Sequence, residues 1–173
     1  PVPRPTLCLY PLVDRERLLS HPFDRQCLEA LVERKRSHPD EVVLMFVGRF
    51  APNKRHDLIV SAASRLAADW NRRVRLVLIG GGVPDPAFRV RLDDVVRRAP
   101  RLTVDLPADV GNDRLYAYYR VADAFVSASE HEGFGIPLAE AMAFGVPVIA
   151  AAHAGCFAMA FSGELGKAGF TPE

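Results

Sequence analysis

The chain has 173 residues, 49% hydrophobic and 25% charged, with 22 basic against 21 acidic residues and a net charge of +1. That describes one soluble domain with room for a real core, and no charge surplus that would draw it to nucleic acid or an anionic membrane. Cys8, Cys27 and Cys156 are odd in number and far apart, which fits free thiols in a reducing compartment better than a disulfide framework or a zinc site.

The first residues, PVPRPTLCLY, hold neither an initiator Met nor a signal-peptide core, and no apolar run reaches membrane-spanning length. A cytoplasmic location and an excised start are the expectations. Residues 1–40 read as a linker with a leading edge strand (7–10) and an amphipathic helix over 25–36, carried by Cys27, Leu28, Leu31 and Val32. Pro39-Asp40 ends it. Residues 41–173 then form one unit. A fully apolar run at 42–47 predicts a strand buried on both faces, followed by Gly48-Arg49-Phe50 and a helix over 57–69 whose core face is Leu58, Ile59, Ala62, Ala63, Leu66 and Ala67. A second strand at 75–79 runs into Gly80-Gly81-Gly82, and a helix over 88–98 stops at Pro100. A weaker strand follows at 102–106.

Asn112 is the expected cap of a helix over 113–121, with Tyr116, Tyr118 and Tyr119 divided between core and surface. Strands at 124–127 and 146–151 flank a helix over 137–144, and a last helix is expected at 158–165. Strands alternating with single helices predict an α/β fold: a doubly wound, mostly parallel sheet with helices on both faces. The arginine pairs Arg72-Arg73 and Arg97-Arg98 read as solvated surface.

In such sheets ligands sit at the carboxyl ends of the strands, where three polar or glycine-rich segments fall. Gly48 frees the backbone to leave the sheet. Arg49 offers a planar fork of donors, and Lys54 adds a point charge at the next helix start, a pair suited to a diphosphate. Both could equally be surface charges near a cap. Gly80, Gly81 and Gly82 resemble a phosphate turn but match neither GxGxxG nor the P-loop, and a tight turn needing positive φ explains them nearly as well. The third segment, SEHEGFGIPLAE, places Gly133 and Gly135 before a helix whose first turn carries Pro137. Helix-start amides and the dipole suit an anion there. Glu132 and Glu140 allow two chemistries: an acid and nucleophile as in glycosidases, or two binding carboxylates, one for a sugar ring and one for a ribose diol. Glu140 could also be a solvent-facing helix residue. His131 is a ligand contact or a satisfied loop residue. His21, His38, His56 and His153 lack metal-ligand spacing, so no metal site is proposed.

The segments VGRFAPNK, LVLIGGG and YYRVADAFVSASEHEGFGIPLAEAMAFGVPVIA resemble the C-terminal, donor-binding half of family-4 (group 1) glycosyltransferases of the GT-B architecture. The last segment carries that family's pair of glutamates seven residues apart, as Glu132 and Glu140, and its EAMAxGxPVIA signature. The resemblance covers roughly residues 42–156. It implies a retaining hexosyltransferase that moves a sugar from a nucleotide-diphosphate donor to an acceptor hydroxyl, with no cofactor or bound metal. By position, Arg49 and Lys54 would bind the diphosphate, near the Gly80-Gly81 turn. Glu132 and the amides of Phe134, Gly135 and Ile136 would hold the donor sugar. Leu138 would add a backbone contact to the phosphate and Glu140 would bind the ribose. The base would lie near residues 106–110, where LPADVG departs from the usual glycine-containing form. An acceptor glycan, lipid or protein would be held by an N-terminal domain outside this chain, so the chain alone is expected to be inactive. The full protein could associate peripherally with a membrane. A non-catalytic nucleotide-binding or interaction module of the same fold is the alternative, and a GT-B epimerase a less favoured one.

Overall fold

A computed structural model describes residues 13–107, 109–131 and 135–151. The edge strand expected at 7–10, the helix expected at 158–165, and Glu132, Gly133 and Phe134 lie outside the described residues. Within them, the elements are α1 (Arg15–Ser20), α2 (Arg25–Ser37), β1 (Glu41–Val47), α3 (His56–Asp69), β2 (Arg73–Ile79), α4 (Pro86–Arg98), β3 (Leu102–Asp105), α5 (Asn112–Val121), β4 (Ala124–Ser127), α6 (Ile136–Ala143) and β5 (Val148–Ala150).

The five strands form one all-parallel sheet in the order β3-β2-β1-β4-β5. Apolar side chains along β1 and β2 leave the sheet alternately on its two faces. Val43, Met45, Val77 and Ile79 enter one core with Leu31 of α2, Tyr119 of α5, Phe125 of β4 and Leu138 of α6. Leu44, Phe46, Leu76 and Leu78 enter the other, against Ile59 and Ala63 of α3 and Leu92 of α4. The uninterrupted apolar runs thus serve two cores, and the doubly wound arrangement is the one expected.

Helix starts follow local chemistry. Asp14, Asp24 and Asp85 each accept a backbone N–H of the first turn of α1, α2 and α4. At α5 the expected cap is displaced: Gly111 occupies the cap position and Asn112 is the first helical residue, with no side-chain capping bond. All three α5 tyrosines are buried, because α2 packs along α5 while His21 and Phe144 meet Tyr116 and Phe125 and Phe144 meet Tyr119. The short helix α1 has no apolar periodicity to announce it. It is held instead by tertiary bonds: Arg15 Nε donates to the Ala143 carbonyl at 3.2 Å and Arg120 Nη2 to the Leu19 carbonyl at 3.2 Å. The last strand is shorter than expected, since Pro147 has no N–H to donate and pairing with β4 begins at Val148.

The chain runs outward through β1, β2 and β3, then returns to the other side of β1 as β4. Beyond the carboxyl ends of β1 and β4 the connections diverge to opposite faces, and a crevice opens there by topology alone.

Candidate functional site

The loop leaving β1 lies directly on the turn leaving β2. Gly48 N donates to the Ile79 carbonyl at 2.9 Å and Phe50 N to the Gly81 carbonyl at 3.2 Å. A Cβ on Gly80 would sit 1.9 Å from the Gly48 carbonyl oxygen, so glycine is required there by close backbone approach. Of the three glycines only Gly82 has positive φ (97°); a shared need for positive φ does not explain the triplet. Asp109, in the segment after β3, faces Gly81, whose Cβ would be 3.7 Å from its Oδ2.

After exposed Arg49 the chain makes a 3-10 turn, Pro52–Lys54, which leaves Lys54 half-buried, and enters α3 through Arg55 at φ 50°. The left-handed conformation of Arg55 is costly for a side-chain-bearing residue, and its guanidinium is anchored on both sides. It donates to Asp57 at 3.2 Å and to Glu130 Oε1 at 2.5 Å. These contacts hold the Asp57 carboxyl below its ordinary range and push the Arg55 guanidinium up. Two further bonds tie the same loops: Glu130 N to the Asn53 carbonyl at 2.8 Å, and Asn53 Nδ2 to the His131 carbonyl at 3.3 Å. The segment carrying Arg49 and Lys54 is therefore fastened to the segment leading to Glu132.

From β4 the chain passes buried Ser127 and Ser129, whose hydroxyls are 3.2 Å apart, and reaches Gly135 at φ 60°, ψ 30°. That left-handed residue opens α6 with Ile136 and Pro137 in its first turn, as expected from the sequence. Ile136 is exposed, whereas Leu138 is a core residue whose N–H already donates to the Gly135 carbonyl at 2.9 Å. A phosphate contact at Leu138 would have to share that proton. Glu140 is half-buried rather than solvent-facing. Burial pushes its carboxyl up, and a hydrogen bond from the Tyr119 hydroxyl, 3.1 Å from Oε2, acts in the opposite direction.

Three participants carried no legible sequence signal: the Arg55 anchor, Tyr119 and His56. Tyr119 and Glu140 are 21 positions apart, and only folding joins them. Arg55 directly follows the segment singled out at Gly48–Lys54, but its partner Glu130 lies 75 positions away. His56 packs among aromatic rings, stacked on Phe50 at 4.6 Å and edge-on to Phe46 at 4.9 Å. Its Nε2 has no hydrogen-bond partner among the described residues, and burial pushes the imidazole down to about 4. An open cleft of about 700 Å³ runs along this outer side of the loop, past Phe50, Asn53, Arg55, Phe88 and Glu130. Arg49, Gly80 and Glu140 do not line it. Among the described residues no group of His, Cys, Asp and Glu is arranged to hold a metal, and no helix is long and apolar enough to cross a membrane.

Comparison with known proteins agrees with this geometry. The sequence model described as Glycosyl transferases group 1 matches residues 29–169. A D-inositol 3-phosphate glycosyltransferase of Geodermatophilus obscurus is 36% identical over 166 residues, 88% of this chain and 34% of the relative. Its namesake in Actinosynnema mirum is 41% identical over 68% of this chain and 29% of the relative. The chain thus spans about a third of the length of these curated relatives. Among solved structures, the C-terminal domain of a glycosyl transferase group 1 family protein (LpcC) from Francisella tularensis is similar with TM-score 0.61 and 25% identity, covering 80% of this chain and 69% of that one. Anabaena Alr3699/HepE in complex with UDP-glucose shares the fold with TM-score 0.62 at 17% identity, over 82% of this chain and 38% of that one. The α/β architecture is that of the GT-B glycosyltransferases. With the family match running from α2 past the last described strand, this chain belongs to the Glycosyl transferases group 1 family.

Proposed function

We propose that this chain is the donor-binding half of a retaining glycosyltransferase, which moves a sugar from a nucleoside diphosphate to an acceptor hydroxyl. The observation that carries the proposal is the fastening of the Arg49–Lys54 segment to the segment after β4 by Arg55, Asn53 and Glu130, at the carboxyl ends of β1 and β4. On this proposal a diphosphate and its ribose lie between the cations of one loop and the helix start, with its carboxylate, of the other.

In this reading Arg49 and Lys54 neutralise the diphosphate, whose charge rises as it departs with the nucleoside, so their attraction is stronger in the transition state than in the ground state. The start of α6, where Gly135 is buried and Ile136 exposed, adds its dipole to the same end of the donor. Glu140 accepts from the ribose hydroxyls. Glu132, with the amide of Phe134, holds the sugar. The base lies beside residues 106–110, where Asp109 approaches the Gly80-Gly81 turn. Acceptor binding belongs to a second domain, for which the relatives' greater length has room, and transfer by this chain alone is expected to be negligible. The relatives' name makes a phosphorylated polyol the first acceptor to try, and the UDP-bound neighbours make UDP the first nucleotide.

The test is a thermal melt with UDP, GDP and ADP. Ligand at a hundredfold excess over Kd stabilises by about 2.7 kcal/mol, a rise of about 5–10 °C for a chain of this size. Glu140→Ala should abolish the rise. If none of the three nucleotides moves the melting temperature at millimolar concentration, the donor-site assignment is wrong.

A further inference from the structure

Glu140 sits on the first turns of α6, yet the group that touches its carboxylate comes from α5. Among the described residues, its one side-chain hydrogen bond is from the Tyr119 hydroxyl, 3.1 Å from Oε2. The same hydroxyl is 3.1 Å from the Pro137 carbonyl, so its one proton is shared between the start of α6 and the carboxylate. The phenol cannot easily move. Tyr119 is 1% exposed, and its ring is stacked on Phe144 (centroids 5.2 Å apart, planes at 9°) and on Phe125 (6.4 Å, 23°). A free glutamate on a helix surface would sample several rotamers. This one has a fixed donor at one oxygen.

We propose that Tyr119 is the positioning residue for Glu140, holding Oε2 so that Oε1 is left to accept from the ribose of the donor nucleotide. The inference rests on the assignment of Glu140 to the ribose. Its physical basis is that a half-buried carboxylate faces two losses: rotamer freedom, and a tendency to take up a proton as water is withdrawn. A protonated Glu140 would offer one acceptor fewer to a diol. A buried phenol donating to the carboxylate opposes both. The elements packed around α6 bring Tyr116, Tyr119 and Arg120 from α5 and Arg15, Glu16 and Arg17 from α1, while β5 brings no titratable group. Arg15 is engaged with the Ala143 carbonyl and Arg120 with the Leu19 carbonyl. Of these groups only the Tyr119 hydroxyl is hydrogen-bonded to the carboxylate.

The experiment measures UDP affinity by calorimetry for the wild type, Tyr119→Phe, Glu140→Gln and the double variant, from neutral to mildly acidic pH. Tyr119→Phe keeps the stacked ring. It should weaken binding about tenfold at neutral pH, with a larger loss as the pH falls because Glu140 then protonates at higher pH. The double variant should bind no more weakly than Glu140→Gln, since the phenol acts through the carboxylate. Wild-type affinity and an unshifted pH profile in Tyr119→Phe would overturn the inference, as would losses that simply add. If the phenylalanine variant folds poorly, 3-fluorotyrosine at 119 keeps ring and hydroxyl while making the hydroxyl a stronger donor. The pH midpoint for binding should then move down, and an unmoved midpoint counts against Tyr119. A wild-type chain that binds no nucleoside diphosphate removes the donor site and this inference together, whereas binding that is indifferent to Tyr119 removes the inference alone.

Discussion

Gly80→Ala tests the junction on which the phosphate-facing loop depends. The new methyl would lie 1.9 Å from the Gly48 carbonyl oxygen and 2.6 Å from its carbon. Neither atom belongs to a flexible side chain, so relief requires the two backbones to part by about 1 Å or more. The bond from Gly48 N to the Ile79 carbonyl, 2.9 Å in the intact junction, cannot survive that movement. Overpacking costs about 1–3 kcal/mol and the lost bond about 1 kcal/mol. A destabilisation of about 3 kcal/mol lowers the melting temperature by about 6–12 °C for this chain length. Arg49 N, 3.3 Å from the same methyl, moves with the loop, so UDP affinity should fall as well. Gly81→Ala is the control. Its methyl meets nothing nearer than the Asp109 carboxylate at 3.7 Å, and its φ is not positive, so its cost should stay within about 0.5 kcal/mol. Differential scanning calorimetry and a UDP titration of both variants decide the matter. Melting temperatures within about 2 °C of each other would show that close approach is not what fixes glycine at position 80.

Other expectations use the same assays. Asp105→Ala should cost about 2 kcal/mol in urea unfolding, because it strands Arg75, 8% exposed and bonded to Asp105 at 2.6 Å; Arg75→Met with Asp105→Leu should recover most of it. His56 should make stability depend on pH. Folded, its imidazole stays neutral down to about 4, while in the unfolded chain it takes up a proton near 6.5. The unfolded state therefore binds more protons between these values, and stability is complete above pH 6.5 and declines towards pH 4, by about 2 kcal/mol once solvent screening is allowed for. Urea titrations across that range should show the decline in the wild type and its loss in His56→Phe. The Asp57 contribution, from a carboxyl held low by Arg55, starts to fade only at the acid end of this range, while Glu140, pushed up by burial, takes up a proton in the folded chain and partly offsets the decline, so the difference between wild type and His56→Phe isolates the imidazole. Glu130→Gln releases the Arg55 anchor; the melting temperature should barely change, whereas UDP binding should weaken several-fold, and unchanged affinity would mean the two loops need no fastening.

The legible part of the fold was the part specified by short-range chemistry. Residues 42–47 and 76–79 fall in β1 and β2 because apolar runs without polar interruption suit burial on both faces, and all of them but the half-buried Val42 and Val47 are buried. Gly135 and Pro137 mark the start of α6 because a left-handed entry and a missing N–H are tolerated there and almost nowhere else. Where the chain's neighbours rather than its own pattern decide, sequence reasoning went astray. Asn112 has capping chemistry, yet Gly111 holds the cap position and Asn112 becomes helical. The amphipathic spacing of α5 left its tyrosines divided between core and surface, but distant neighbours bury them all: α2, arriving from 86 positions upstream as in the bond from Lys35 to the Val121 carbonyl, His21 and Phe144 against Tyr116, and Phe125 and Phe144 against Tyr119.

The same division runs through the site, and it bears on what the glutamates can do. Residue type and spacing singled out Arg49, Lys54 and Glu140 as candidates, but a carboxylate's role depends on its surroundings, which are not local. Glu140 could have been a proton donor, a nucleophile, a ribose ligand or surface decoration. A nucleophile must bring one carboxylate oxygen into line with the reacting carbon. Glu140 instead has one oxygen engaged by a phenol that two aromatic rings hold in place. Such an arrangement sacrifices mobility for a fixed acceptor direction, which fits the proposed recognition of a ribose diol. The aromatic core beneath α5 and α6 therefore has a second consequence beyond stability: Phe125 and Phe144 orient the ring that orients the carboxylate.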